Sequence, residues 1–166
     1  VLPASYSFST NFAFQIGASG PAGISDSDGI GADGFTFTMH RDSRGSAALG
    51  GLGCGLGLTN CNSTNNIQPY VAVEFDTWPS GALDLPGNTN GNHVAIDAST
   101  SQQSLFQSVT ALTRFNNGAT QYVWIDYDGA TDQMRIYWNA SANVKPATPT
   151  LTGTIDLAAL FGGAND

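Results

Sequence analysis

The sequence predicts an all-β domain, an antiparallel sandwich or barrel of seven or eight strands, on three observations. Strong helix formers are scarce: one Glu, one Lys, four Arg and two Met in 166 residues, while Gly, Ser, Thr and Asn are abundant, which favours strands and turns. Short runs alternate apolar and polar residues with the period of two that a strand buried on one face requires. No amphipathic run is long enough for a helical crossover, so turns must join the strands, and turn-joined neighbours are antiparallel.

The elements follow in order. From Tyr6 to Ile16, Phe8, Phe12, Phe14 and Ile16 fall on one face and Ser7, Ser9, Asn11 and Gln15 on the other, which predicts a half-buried strand. Gly17 to Gly31 is rich in Gly, Ser and Asp and reads as a loop. Phe35, Phe37 and Met39 repeat the alternation. Arg41 to Asn66 is a long glycine-rich irregular segment, and long loops inside compact domains are usually functional. Strands are predicted over Val71 to Thr77, His93 to Ala98 and Ser108 to Phe115. Gln121 to Tyr127 and Gln133 to Trp138 flank Asp128-Gly129-Ala130-Thr131-Asp132, a hairpin signal. Thr150 to Ile155 reads as a last strand, before a helical turn at Asp156 to Phe161. No internal repeat or linker interrupts the chain, so residues 1–166 read as one domain.

Composition narrows the function. The net charge of −8 comes from dispersed aspartates, and no basic patch exists to meet a phosphate backbone, which excludes nucleic acid as a partner. Apolar stretches are too short to span a membrane.

The chemistry concentrates in Val71-Ala72-Val73-Glu74-Phe75-Asp76-Thr77-Trp78, a polar loop, and Asn92-His93-Val94-Ala95-Ile96-Asp97. Glu74 is the only glutamate and His93 one of two histidines. Strand parity puts Glu74 and Asp76 on one face. The loop adds the oxygen donors Ser80, Asp84, Asn88, Asn90 and Asn92, and the return strand brings His93. Two carboxylates, an imidazole and a loop of oxygens can make a metal site; the plainer alternative is a solvated strand face. His40 has no partner in the sequence and reads as surface. Trp124 and Trp138 read as core or sheet-surface residues, and Asp126, Asp128 and Asp132 as solvated groups near a hairpin. Cys54 and Cys61 enclose six residues and can pair in an oxidising compartment or stand as two small buried residues. Asn62-Ser63-Thr64 and Asn139-Ala140-Ser141 match the N-glycosylation acceptor pattern.

Four segments, in this order, resemble the legume-type (L-type) lectin family, particularly its bacterial and lower-eukaryotic members. They are Phe8-Ser9-Thr10-Asn11-Phe12-Ala13-Phe14, Gly31-Ala32-Asp33-Gly34-Phe35-Thr36-Phe37, Ala48-Leu49-Gly50-Gly51-Leu52-Gly53, and Val73-Glu74-Phe75-Asp76-Thr77-Trp78 with Asn92-His93-Val94. The Tyr122 to Trp138 hairpin and Ile155-Asp156-Leu157 fit the family's later strands. The resemblance implies a concanavalin A-like antiparallel β-sandwich (jelly roll) with a metal-supported sugar site at one end. It assigns Glu74, Asp76 and His93 to a transition-metal site, usually manganese, and Asp76 also to calcium. Trp78 gives calcium a backbone carbonyl, Ser80 stands where the family usually has an asparagine serving calcium and sugar, and Asp84, with Asn88 as the alternative, is the second bridging position. The ligand types agree with the ions: calcium takes hard oxygens, and an imidazole suits a transition ion.

The sugar site carries over in the same way. Asp33 matches the acid that accepts hydrogen bonds from sugar hydroxyls, after a cis Ala32–Asp33 bond. Gly50 or Gly51 matches a backbone N–H donor, and the Trp78 ring matches an aromatic that stacks on the sugar. Against the family pattern, the chain lacks both terminal strand regions, which implies a partial domain or one completed by a strand from a neighbouring chain. The leading expectation is a non-enzymatic, calcium-dependent carbohydrate-binding domain, extracellular or on a cell surface. The alternative is a structural or adhesive lectin-fold subunit that self-associates. A glycoside hydrolase of the same architecture needs two carboxyl groups; Glu74-x-Asp76 resembles such a motif, but Pro79 stands where the second glutamate would fall.

Overall fold

A computed structural model describes residues 6–17, 25–26, 29–59, 66–79, 91–99, 105–107 and 113–162. Its strands are β1 (Phe8–Gln15), β2 (Ser25–Asp26), β3 (Gly29–Ile30), β4 (Gly34–His40), β5 (Tyr70–Thr77), β6 (Asn92–Ala98), β7 (Phe106–Gln107), β8 (Thr120–Asp128), β9 (Gln133–Asn139) and β10 (Leu151–Thr154). One helical turn, α1 (Leu157–Leu160), follows, capped by the Asp156 side chain, which accepts from Ala159 N at 2.8 Å.

Two four-stranded antiparallel sheets form a sandwich. The first runs β1-β8-β9-β10 and the second β4-β5-β6-β7, so the antiparallel sandwich holds, with eight strands in its two sheets and the short β2–β3 pair in addition among the described residues. The core lies between them: Val73, Phe75, Val94 and Ile96 of the second sheet meet Val123, Ile125, Met134 and Ile136 of the first. Phe75 is ringed by Phe12, Phe14, Phe35 and Phe115, which adds ring–ring geometry to simple burial.

The outer faces of the two sheets differ. In β8 burial alternates residue by residue, as a solvated outer face requires. In β5 and β6 every residue is buried. At the start of β5 the segment after β4 folds back as a roof: its Leu58 and Ile67 pack on Tyr70 and Ala72 as a second small apolar cluster. The other outward positions of β5, Glu74 and Asp76, are buried as well.

Local structure departs from the sequence expectation in three places. The Gly17 to Gly31 segment contains the short β2–β3 pairing. The Arg41 to Asn66 segment contains 3₁₀ turns at Gly45–Ala47 and Gly53–Gly55. The strand expected over Ser108 to Phe115 is corrected in its described part: Thr113 to Phe115 is not strand, residues 108–112 lie outside the described residues, and among the described residues the outer strand beside β6 is Phe106–Gln107. Phe115 is fully buried through a turn whose N–H donates to Asn92 Oδ1 at 2.9 Å, so its apolarity serves the core without a ladder. Among the described residues no helix is long and apolar enough to cross a membrane.

Candidate metal and sugar site

Register builds the centre of the site. In the β5–β6 ladder Asp76 lies directly opposite His93, and Glu74 opposite Ala95. Parity puts all four on the outer face, and the small Ala95 side chain leaves Glu74 room to lean toward the imidazole. Ligand atoms of Glu74, Asp76 and His93 lie within 4.8 Å of one another. His93 Nε2 is 2.9 Å from Glu74 Oε1 and 3.9 Å from Asp76 Oδ2. The three residues are 9%, 1% and 0% exposed, so the solvated-face alternative does not describe them. Asp76 Oδ1 also accepts from Trp78 N at 2.7 Å, which fixes the carboxylate at the mouth of the following loop.

Asp33 sits one strand away, in the turn that opens β4. The Ala32–Asp33 bond is cis, as the resemblance implies. Gly34, at φ +131°, pairs with Asp76 in register, and Thr77 N donates to Asp33 O at 2.7 Å. The turn is thus tied to the strand end that carries Asp76. Gly34 must be glycine here: a Cβ would collide with the Phe75 carbonyl, and L residues seldom adopt this φ. Asn116, buried, donates to Gly31 O at 3.2 Å from the other side. Burial raises the Asp33 carboxyl above its ordinary value.

The glycine loop gives a different result from the one the resemblance assigns. Gly50 N donates to Gly57 O at 2.7 Å and Gly51 N to Thr59 O at 2.6 Å. Both N–H groups close the loop on itself, because its two arms run so close that a Cβ on Gly50 would strike the Leu58 backbone. The loop residue beside the carboxylate is Gly53, where a Cβ would lie 3.7 Å from Asp33 Oδ2. Asp33 and Gly53 line one open cavity of about 530 Å³ together with Gly34, Thr36 and the roof leucines. Trp78 is half-buried and is not among the described residues lining it.

The remaining positions are placed as follows. Ser80, Asp84, Asn88, Asn90, Cys61 and Asn62 lie outside the described residues. Cys54 sits in the Gly53–Gly55 turn. Asn139 ends β9 with its side chain committed locally: Nδ2 donates to Val144 O at 2.9 Å, and Oδ1 accepts from Ser141 N at 3.0 Å and Ala142 N at 3.1 Å. His40 is half-buried, and its Nδ1 accepts from Asp42 N at 3.3 Å. Trp138 packs against Phe115 and donates to Gln121 Oε1 at 3.0 Å.

Residues 3–164 match the family model described as "Legume lectin domain". The chain belongs to the legume lectin domain family. Among its relatives, the L-type lectin-domain containing receptor kinase S.6 of Arabidopsis thaliana is 32% identical over 158 residues, 92% of this chain and 19% of that protein. The bark lectin of Styphnolobium japonicum is 30% identical over 155 residues, 93% of this chain and 50% of that protein. The solved winged bean acidic lectin, complexed with methyl-α-D-galactose, superposes with a TM-score of 0.67 at 25% identity, covering 93% of this chain and 56% of the other. The sandwich is therefore concanavalin A-like. The chain spans about half or less of the length of the curated relatives it matches.

Legume lectins bind Ca²⁺ and Mn²⁺, and the donor chemistry of this lectin domain fits such ions. Two carboxylates outnumber one imidazole in a buried place, and buried charge of one sign calls for a compensating cation. Glu74, Asp76 and His93 would hold a transition ion, and the carboxylate oxygens suit calcium. Sequence reasoning missed Asn116 and Gly53. Asn116 had no signal, since its partner Gly31 is 85 residues away; Gly53 was within reach, as part of the glycine run beside Asp33's segment.

Proposed function

We propose that this chain is a non-enzymatic, carbohydrate-binding lectin domain whose sugar-facing turn is organised by calcium and a transition ion. The observation that carries the reading is the tie between the buried Glu74–Asp76–His93 set and Asp33: adjacent strands, one register pair and the Thr77 N to Asp33 O bond. Glu74, Asp76 and His93 would hold a cation at the end of β5, and β5 holds the turn that would present Asp33 as acceptor to sugar hydroxyls. Gly53 would take the donor role that the engaged N–H groups of Gly50 and Gly51 leave open. Asp84, or Asn88 in its place, would join Ser80 and the Trp78 carbonyl as calcium ligands, and the Trp78 ring would stack on the sugar. Placement outside the cell accords with this reading: its receptor-kinase relatives carry the same domain, and a Cys54–Cys61 bridge is supported by the absence of a free thiol at Cys54. Use of Asn62 as a glycosylation acceptor belongs to the same reading. Asn139 does so less, because its amide is already hydrogen-bonded. The test is retention on a panel of sugar resins. Elution by a chelator and recovery with Ca²⁺ are expected; retention that a chelator leaves intact rules out the metal-organised site.

A second reading, assembly through strand addition, rests on one flank of the sandwich. Among the described residues β1 and β4 are the outer strands of their sheets on the same side, and Phe12, Phe14, Phe35 and Phe37 remain only half-buried there. An added strand would cover these rings and pair the open edges. Light scattering over a dilution series tests it, and a monomer at all concentrations argues against self-association.

A further inference from the structure

Two paths of bonds lead from the strands that carry the acid–imidazole set to the turn that carries Asp33. The first is direct: Thr77 N, at the end of β5, donates to Asp33 O at 2.7 Å. The second starts on the neighbouring strand. Asn92 opens β6 and lies opposite Thr77 in the ladder. Its Oδ1 accepts from Phe115 N at 2.9 Å. The Phe115 ring is fixed in the core against Phe14, Phe75 and Trp138. The next residue, Asn116, donates from Nδ2 to Gly31 O at 3.2 Å. Arg114 Nε donates to Asn116 Oδ1 at 3.0 Å, which sets the amide with its donor side toward Gly31. Gly31 stands two residues before Asp33, so the second path returns to the same turn at its other end. Asn92 and Asn116 are both 1% exposed, and a buried amide is tolerated only where its hydrogen bonds are made. Gly31 adopts φ +106°, and a Cβ there would lie 3.2 Å from Asn116 Nδ2, so the amide sits against backbone that glycine leaves open.

We propose that Asn116 is a positioning residue for the sugar site: its amide, placed by Asn92 through Phe115, holds the Asp33 turn at the Gly31 end. The proposal rests on the sugar-binding reading above and adds how its acid is kept in place. A turn tied only at Asp33 O can swing about that tie. Tied at Gly31 O as well, it presents the carboxylate in one pose, and a pre-set pose raises affinity because less ordering is left for the moment of binding. Losing the buried bond to Gly31 O corresponds to about a tenfold loss of affinity.

Two variants test it on the intact protein with Ca²⁺ and Mn²⁺, well below the melting temperature. Asn116→Asp keeps the oxygen that Arg114 binds and removes the donor, and Asn116→Leu removes both. Leu157→Ala is the control for lost stability: Leu157 is equally buried, but α1 lies at the far end of β4, where Arg41 Nη1 donates to Phe161 O. Calorimetry with the methyl glycosides of galactose, N-acetylgalactosamine, glucose and mannose gives the first readout. For whichever sugar the parent binds, both Asn116 variants should bind about tenfold more weakly, and Leu157→Ala as tightly as the parent although it melts lower. Amide hydrogen exchange gives a readout that needs no sugar. The Thr77 amide, which donates to Asp33 O, should exchange about tenfold faster in the Asn116 variants relative to the Phe75 amide of the same strand, and at the parent ratio in Leu157→Ala. If either the affinity or the exchange ratio stays at the parent value in both Asn116 variants, the positioning role is overturned while the sugar reading stands. If the parent binds none of these sugars, the sugar reading fails, and the exchange ratio alone decides whether Asn116 holds the turn. Should neither variant fold, the parent decides: an Asn116 side-chain amide that exchanges as fast as one in water overturns the bond, and a protected one supports it.

Discussion

The outer faces of the two sheets carry the same kind of residue to opposite ends. On the second sheet Glu74, Asp76 and His93 come together on the outer face and are all three covered from solvent. On the first sheet Asp126 stands on the outer face of β8 among Ser9, Arg135 and Lys145, half in water. Both strands alternate, and both put an acid on the non-core face. What differs is the cover. A carboxylate covered from solvent must find a cation, whereas one in water needs only a flexible lysine. Function follows from the first arrangement, because burial turns a charge into a demand for a specific partner.

The strongest way to break this comparison is to remove one acid from each face and vary the metal. With Ca²⁺ and Mn²⁺ present, Asp76→Ala should lower the unfolding free energy by about 3–5 kcal/mol, the cost of breaking a buried charged set. If the proposed ion binds, the gap should shrink in chelator, because ligand-linked stabilisation then disappears for parent and variant alike. Urea unfolding of both proteins in both buffers reads this directly. A gap of equal size in chelator would mean that Asp76 acts through protein contacts such as its bond to Trp78 N, and the buried face would lose its claim to a cation.

A pair of glycines sharpens the comparison at intermediate size. Gly34 joins the Asp33 turn to the outer face of the second sheet, with φ +131° and the Phe75 carbonyl where a side chain would go. Gly153, in β10, faces the core, and an added Cβ would meet the Phe106 and Ile96 side chains. Gly34→Ala should cost about 2–4 kcal/mol, since neither the backbone angle nor a carbonyl in the ladder can yield. Gly153→Ala should cost about 1–3 kcal/mol, the range for overfilling a core whose side chains can shift. Equal losses in thermal melts would show that the Gly34 turn relaxes, and would weaken the case that it presents Asp33 in one fixed pose.

The convergence of Glu74, Asp76 and His93 was legible because it needs only strand parity and one return strand: Glu74 and Asp76 two apart, His93 across a loop. The strands from Phe8, Phe35, Tyr70, Gln121 and Gln133 were legible for the same reason, each being an alternation that one face satisfies. Residues 113–115 were misread because Phe115 is apolar for the core while its backbone turns, and pattern alone does not separate the two. The Asp33 turn came from family resemblance, since an acid before a glycine is otherwise an ordinary turn signal. The use of Gly50 and Gly51 could not be read at all. Which N–H faces the cavity depends on how the two arms of the roof loop close on each other, through Gly57 O and Thr59 O, and glycine spacing does not encode that closure.

The smallest expected effect lies on the open face and carries a sign of its own. Partial burial raises the Asp126 carboxyl, but hydrogen bonds from Lys145 and Ser9 and the charges of Lys145 and Arg135 outweigh it and hold the group below its ordinary value. A carboxyl depressed in the folded state stabilises the protein above its unfolded pKa, about 3.9. The contribution is lost as pH falls through the lower folded value. Lys145 is flexible enough to lie over the Tyr137 ring as well, 4.3 Å from its centroid, and the pair is open to water, so its worth is about 0.2–1 kcal/mol. Asp126→Asn should therefore cost that much at neutral pH, less in molar salt, and progressively less as pH falls through the lowered folded value and the parent carboxyl takes up its proton. A loss that persists unchanged in acid would mean that the side chain works as a neutral hydrogen-bond acceptor for Ser9, and the open face would then share more with the buried one than its exposure suggests.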